Sequence, residues 1–226
     1  MVVEASLTMD KPYIRLRFQP DLEDPILVSG LPGLGNVGKI VAHLMIEFSG
    51  AELFAELYSP SFPDFVLIDA DGVCRPPRYE FYASKIGRDI IILTGDAQPS
   101  LEDVPAHYEV CSEVLDFVAG LGCRFIVTIG GAPTPRPMRE IYVAATSPKV
   151  AVEYMEKGAV IYGNGKIMGA SGLLLGLAKK RGIEGVCLLG STIGVPADRE
   201  AAFHVFRFLS KVLKSDLGVE LEKSPY

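Results

Sequence analysis

The chain lacks a surplus of basic residues, since 22 lysines and arginines stand against 28 aspartates and glutamates, for a formal net charge of −6. A general nucleic-acid-binding protein needs a basic excess to neutralise phosphates, so the charge balance argues against that class. The same deficit argues against a polybasic membrane anchor. The sequence therefore predicts an acidic protein that binds neither nucleic acid nor a membrane surface.

Long apolar runs are also missing. No stretch free of charged residues approaches the roughly 20 apolar residues of a membrane-spanning helix. The first eleven residues carry Glu4 and Asp10 and have no apolar core, which is unlike a signal peptide. These two absences lead us to expect a cytoplasmic protein.

Residues in metal-ligand or redox spacing are absent as well. The four cysteines stand far apart, with no CxxC pair, and no histidine has a second histidine four residues away. The isolated residues are Cys74, Cys111, Cys123, Cys187, His43, His107 and His204. We therefore predict no metal site, no cofactor and no catalytic set of residues.

The apolar content, in contrast, is high. Hydrophobic residues make up 49% of the 226 residues and the mean hydropathy is +0.27, values typical of a folded chain. No low-complexity linker divides the chain, so we predict a single α/β domain over residues 1–216 and a C-terminal tail over residues 217–226. The apolar surplus suggests surface that is reserved for a partner or for a second copy.

Strand and helix patterns alternate along the chain. Runs at residues 25–30, 89–95, 125–131 and 185–190 are apolar on both faces, as in strands that helices cover on both sides. The Asp71-Gly72 turn predicts a hairpin whose second strand lies near residues 79–85. We therefore predict a three-layer α/β sandwich with a mainly parallel mixed sheet.

A glycine-rich segment, GLGNVG at residues 33–38, follows the first buried strand and precedes a helix. This spacing suits either a dinucleotide pyrophosphate or a tight strand–helix corner that needs small residues. The acid expected about 20 residues on is poorly placed, because Glu56 falls inside a predicted strand. Asp96 follows a buried strand, where open α/β sheets place ligands. The candidate pocket residues are Gly33, Gly35, Asn36, Gly38 and Asp96.

Other patterns favour structural roles. Residues 163–166 resemble a phosphate loop, but the first glycine and the magnesium-binding hydroxyl are both missing, so a turn is predicted. Ser171 stands in GASGL at residues 169–173, which lacks the second glycine of the nucleophile elbow GxSxG, and is better suited to capping near the start of a helix. Arg136 and Arg139 flank a proline-rich loop that suits either a solvated surface or an anion site.

Several short segments, taken in order, resemble one family. They are residues 30–38, 95–99, 130–131 and 167–176, followed by Asp198 and an alanine-rich helix. The sequence resembles the archaeal branch of the proteasome assembly chaperone family, also described as ATP-grasp-like. The resemblance implies a fold like that of purine nucleoside phosphorylases, homo-oligomerisation, and binding to proteasome α-subunits without ATP hydrolysis.

Some members of that family dock through a C-terminal tail with a hydrophobic residue, a tyrosine and any last residue. In this chain Tyr226 is the final residue, and Ser224 stands where an apolar residue is expected. Only Tyr226 is carried over as a partner-binding residue.

The leading hypothesis is therefore a non-enzymatic chaperone or adaptor that forms homo-oligomers and binds proteasome α-subunits. The alternative is a nucleotide- or nucleoside-binding enzyme that uses the glycine-rich corner. A purely structural oligomer is a third interpretation that the residues leave open.

Overall fold

The computed structural model describes residues 10–85, 87–135 and 139–217, and side chains as far as residue 213. The strands are β1 (Tyr13–Leu16), β2 (Ile26–Ser29), β3 (Glu52–Tyr58), β4 (Leu67–Ile68), β5 (Cys74–Arg75), β6 (Tyr79–Ser84), β7 (Ile90–Gly95), β8 (Phe125–Pro133), β9 (Ile141–Ala145), β10 (Val160–Ile161) and β11 (Glu184–Thr192). The helices are α1 (Val37–Ser49), α2 (Val104–Gly120), α3 (Pro148–Glu156), α4 (Ala170–Lys180) and α5 (Arg199–Leu217). A short 3₁₀ turn over Leu34–Asn36 precedes α1.

The strands form one large sheet between two layers of helices. Nine strands lie in the order β1-β3-β6-β7-β2-β8-β11-β9-β10 within the described residues, and β4 pairs only with β5. Helices α1, α3 and α5 pack on one face of the large sheet, and α2 and α4 pack on the other. The predicted three-layer α/β sandwich with a mixed sheet is confirmed.

The prediction that the sheet is mainly parallel is wrong. Four of its eight pairings are parallel, namely β7–β2, β2–β8, β8–β11 and β9–β10, and the other four are antiparallel. Five residues separate β6 from β7, and a parallel crossover requires a dozen or more. The short connection therefore makes this half of the sheet antiparallel, and parallel pairing is concentrated in the centre.

The Asp71-Gly72 turn closes a smaller hairpin than predicted. It joins β4 to β5, in which Leu67 pairs with Arg75, and it does not pair with β6. Strand β6 is instead paired on both sides, by β3 and β7, where it buries Tyr79 and Phe81. The hairpin consequently stands outside the large sheet.

Two of the helices begin with a side-chain cap. The Asp103 carboxylate accepts a hydrogen bond from the Ala106 N–H at 3.1 Å, and the Ser147 hydroxyl accepts one from the Val150 N–H at 3.4 Å. Each cap is followed by proline in the first turn, where its missing N–H costs nothing. Helix α5 extends to Leu217, and residues 218–226 of the predicted tail lie outside the described residues.

Backbone segments come unusually close where β2 leads into α1. A Cβ atom on Gly30 would overlap the Gly38 carbonyl oxygen, and one on Gly38 would lie 2.6 Å from the Ile129 carbonyl oxygen. Gly35 adopts a φ of +65°, which side chains disfavour. Most of the glycine-rich segment is therefore explained by a tight strand–helix corner.

We predict that Gly38→Ala lowers the free energy of unfolding by about 1–3 kcal/mol, because the new methyl group must displace the β8 backbone. Urea unfolding followed by circular dichroism measures the change. Gly176→Ala is the control, since it lies within α4 with open space around it and should be neutral or stabilising. Equal stability of Gly38→Ala and the native protein would contradict the close-packed corner.

Candidate functional site

The segments singled out in the sequence converge at the carboxyl ends of the central strands. There they enclose a cavity of about 500 Å³. Its walls come from the loops after β2 and β7, from the last residues of β8 and from the segment that leads into α4. The lining residues are Leu31, Gly33, Leu34, Gly38, Gln98, Pro99, Leu101, Gly130, Gly131, Pro133, Tyr162, Lys166, Ile167, Met168, Gly169, Ser171 and Leu189.

The position of the cavity follows from the topology. Helix α1 follows β2 on one face of the sheet, whereas α2 follows the neighbouring strand β7 on the other face. The loops after these two strands diverge, which leaves a crevice at the carboxyl ends of the strands. Open α/β sheets bind their ligands at such switch points. The cavity is therefore the candidate functional site of this fold.

Gln98 holds two walls of the cavity together. Its side-chain amide donates a hydrogen bond to the Pro32 carbonyl oxygen, and its carbonyl oxygen accepts one from the Ala170 N–H at 2.9 Å. One side chain thus connects the loop after β2 with the first turn of α4. Gln98 belongs to one of the family segments, residues 95–99, but its role is not visible in the sequence because its two partners are distant from it along the chain.

Ser171 has a structural contact and not the arrangement of a nucleophile. Its hydroxyl donates a hydrogen bond to the Ile129 carbonyl oxygen at 2.9 Å. The residue that caps α4 is Gly169, with a φ of +74°, and the first N–H of the helix bonds to Gln98. Ser171 therefore ties α4 to β8, and the predicted capping role falls to other residues.

Two residues of the glycine-rich segment point away from the cavity lining. The Gly35 carbonyl oxygen accepts a hydrogen bond from the Asp198 N–H at 2.8 Å, and the Asn36 amide donates one to the Pro196 carbonyl oxygen at 2.8 Å. The Asp198 carboxylate accepts a hydrogen bond from the Thr192 hydroxyl at 2.6 Å. It accepts another from the Ala201 N–H, which caps α5. This part of the segment attaches α1 to the start of α5.

Asp96 does not line the cavity. Its carboxylate accepts two hydrogen bonds from the Arg75 guanidinium, at 2.5 and 3.1 Å, and one from the Arg78 N–H at 3.1 Å. Burial opposes ionisation of this carboxyl, but the bonds from Arg75 and Arg78 outweigh it and hold the pKa of Asp96 below its ordinary value of 3.8. Asp96 therefore anchors the β4–β5 hairpin to the end of β7.

Glu56 is also engaged in the fold. Its side chain is 1% exposed and lies 2.7 Å from the Arg17 guanidinium and 2.6 Å from that of Arg78. A dinucleotide site would need an acid near this point of the sequence to bind ribose. The acid present is instead neutralised inside the antiparallel half of the sheet.

The predicted site residues thus separate into three groups. Gly33 and Gly38 line the cavity, Gly35 and Asn36 lie behind it, and Asp96 lies at the hairpin. Ligand binding by these residues stays a prediction. Tyr226 and Arg136 lie outside the described residues.

Within the described residues, no group of three or more His, Cys, Asp or Glu side chains is arranged to hold a metal ion. Within the same ranges, every helix is too short or too polar to cross a lipid bilayer.

The contact between Asp96 and Arg75 predicts a pH-dependent stability. Because the folded-state pKa of Asp96 is depressed, its contribution is fully present above about pH 4 and is lost as the pH falls further. We expect Asp96→Asn to lower the free energy of unfolding by about 1–3 kcal/mol at pH 7, with a smaller difference at pH 3. Urea unfolding at both pH values measures this.

Asp64→Asn provides the matched control, because Asp64 is an exposed residue on the same excursion of the chain. It should match the native protein at both pH values. A constant penalty for Asp96→Asn from pH 7 to pH 3 would show that the ionised carboxylate is not what stabilises the hairpin anchor.

Comparison with known proteins identifies relatives over nearly the whole chain. The chain is 38% identical to Pyrococcus furiosus PbaB, described as an archaeal proteasome activator, with a TM-score of 0.87 over 95% of this chain and 92% of that one. It is 28% identical to P. furiosus PbaA, described as an archaeal homolog of proteasome-assembly chaperone, with a TM-score of 0.76 over 95% and 89% of the two chains.

An uncharacterised protein of Methanocaldococcus jannaschii is 35% identical over 207 residues, which is 89% of this chain and 79% of that protein. The model of the PAC2 family matches residues 27–223, a range that contains the cavity and both helical layers. The chain therefore belongs to the PAC2 family.

Proposed function

We propose that this protein is a non-enzymatic proteasome assembly chaperone or adaptor of the cytoplasm, which forms homo-oligomers and binds proteasome α-subunits. The observation that carries the proposal is the similarity to PbaB, at 38% identity over 95% of the chain. A similarity of that extent spans nearly the whole chain and is not limited to a single motif. The ordered segments noted in the sequence support the same conclusion.

The surface around the cavity has the character of a protein-binding surface. Leu101 and Met168 are 73% and 80% exposed at the cavity wall, and Ile193 is exposed beyond the end of β11. All three lie at the carboxyl edge of the central strands. Exposed large apolar side chains that gather at one edge mark a surface that a partner covers.

The β4–β5 hairpin extends this surface. Tyr79 of β6 pairs with Gly95 of β7, which places the segment before β6 at the same carboxyl edge. The hairpin segment exposes four large apolar side chains, Phe65, Val66, Ile68 and Val73. The proposal therefore locates subunit and α-subunit contacts at this edge, on both sides of the cavity.

Native mass spectrometry tests the proposal directly. The full chain is measured alone and after mixing with purified proteasome α-subunits. We expect the protein alone to show masses that are multiples of 24.4 kDa. We expect the mixture to show further species that contain both proteins. A 24.4 kDa monomer that takes up no α-subunit would refute the proposed function.

Charge placed on the exposed apolar edge should disrupt these complexes. We predict that the double variant Leu101→Asp, Met168→Asp loses at least tenfold in complex formation, since two carboxylates would have to be desolvated at the interface. Its stability to urea should stay within about 0.5 kcal/mol of the native protein because both side chains are exposed.

The control for this pair is Val152→Asp, on the surface of α3, where the side chain is 51% exposed. Helix α3 packs far along the sheet, beneath β9 and not beside the cavity. Complexes that persist in the double variant but dissociate in Val152→Asp would place the interface on α3 and contradict the carboxyl edge.

A further inference from the structure

One glycine of the glycine-rich segment is explained neither by packing nor by backbone conformation. Gly33 has a φ of −176°, an extended conformation that any residue can adopt. A Cβ atom added to it would meet only the Gln98 amide nitrogen, at 4.0 Å, which is ordinary van der Waals contact. Gly30, Gly35 and Gly38, in contrast, have no room for a Cβ atom.

The space that a Gly33 side chain would occupy belongs to the cavity. Both Gly33 and its one neighbour, Gln98, line it. A larger residue at position 33 would therefore fill the cavity without straining the fold. The glycine at position 33 therefore leaves room in the cavity for a bound molecule.

The cavity has the dimensions and the lining of a small-molecule site. Its volume of about 500 Å³ falls in the range of ligand pockets, about 300–1,000 Å³. The walls are mainly apolar, with Leu31, Ile167 and Leu189 among them. Ligand sites of this kind combine apolar walls with a few polar groups that fix the orientation of the ligand.

The charged groups of the cavity have one sign. Lys166 lines it, and the described residues around it include no aspartate or glutamate. Lys166 forms no ion pair within the described part of the chain. Lys166 is itself exposed, and an ammonium group at the cavity with no acid to neutralise it favours a ligand that carries an anionic group.

We propose that the cavity binds a small molecule with an apolar body and one anionic group, which lies beside Gly33 with its anion at Lys166. Tyr162 also lines the cavity, and a phenolic hydroxyl can donate a further hydrogen bond. Gln98 fixes the two walls relative to each other, so the site is preformed. This binding is independent of proteasome binding and does not rest on it.

Isothermal titration calorimetry on the full chain tests the ligand class with two sets of probes. Hexyl phosphate is compared with hexan-1-ol and with inorganic phosphate, and hexanoate is compared with hexan-1-ol and with acetate. In each set one probe has both the body and the charge, and the others lack one of the two. The sets separate a phosphate monoester from a carboxylic acid as the source of the anion.

We expect hexyl phosphate or hexanoate to bind saturably, with one molecule per chain, and at least tenfold more tightly than the probes that lack charge or body. Saturable binding by neither hexyl phosphate nor hexanoate would overturn the proposal. Equal affinity for an anionic probe and its neutral counterpart would overturn the role of Lys166.

Three variants then locate the site. Gly33→Val should reduce the affinity at least tenfold, with the urea midpoint unchanged. Lys166→Met should reduce it at least tenfold and remove its dependence on salt. Gly163→Val is the matched control, since a Cβ there meets only Ile161 at 3.8 Å, outside the cavity lining.

The variants also separate this site from the protein-binding surface. Gly33→Val should form the same oligomers and α-subunit complexes as the native protein in native mass spectra. Unchanged ligand affinity in Gly33→Val would show that the ligand binds elsewhere and would overturn the proposal, whatever the outcome for proteasome binding.

Discussion

Close approach of backbone atoms between β2, α1 and β8 is the constraint on which the rest of the structure depends. Gly30, Gly38 and the Ile129 carbonyl lie so close that no side chain fits between them. This contact fixes how closely the start of α1 packs against the sheet. The turn before α1 is then held to α5 through the Gly35 carbonyl and Asp198. The β2–α1 segment, β8 and α5, which are distant from one another in sequence, therefore meet at one corner.

The cavity is a consequence of that corner. Because α1 leaves β2 on one face and α2 leaves β7 on the other, the loops diverge, and Gln98 bridges them through Pro32 and Ala170. A shift of the loop after β2 relative to α4 would break that bridge. The glycines that pack the corner and the glycine that opens the cavity thus serve different purposes within the same nine residues, 30–38.

The carboxyl edge of the sheet combines two kinds of surface. Apolar side chains such as Met168 are exposed around it, and the β4–β5 hairpin adds more. The hairpin is held in place by ionic contacts, since Arg75 bonds to Asp96 and the neighbouring Arg78 reaches the buried Glu56. Burying these charges is costly unless each is paired, so the antiparallel half of the sheet and the hairpin stabilise each other.

The sequence by itself determined the layers of the fold and the family. Apolar periodicity depends on residues a few positions apart, so a single chain displays it. The family was visible because several short segments, from residues 30–38 to residues 167–176, stand in a specific order along the chain.

Only the tertiary structure decided the pairing of the antiparallel strands and the composition of the site. Asp96 lies outside the predicted pocket because it binds Arg75, which stands 21 residues earlier in the β4–β5 hairpin. Lys166 and Gln98 became lining residues because segments about 70 residues apart meet at a strand end. Such contacts depend on how distant segments pack against each other, and packing of this kind produces no periodic pattern in the sequence.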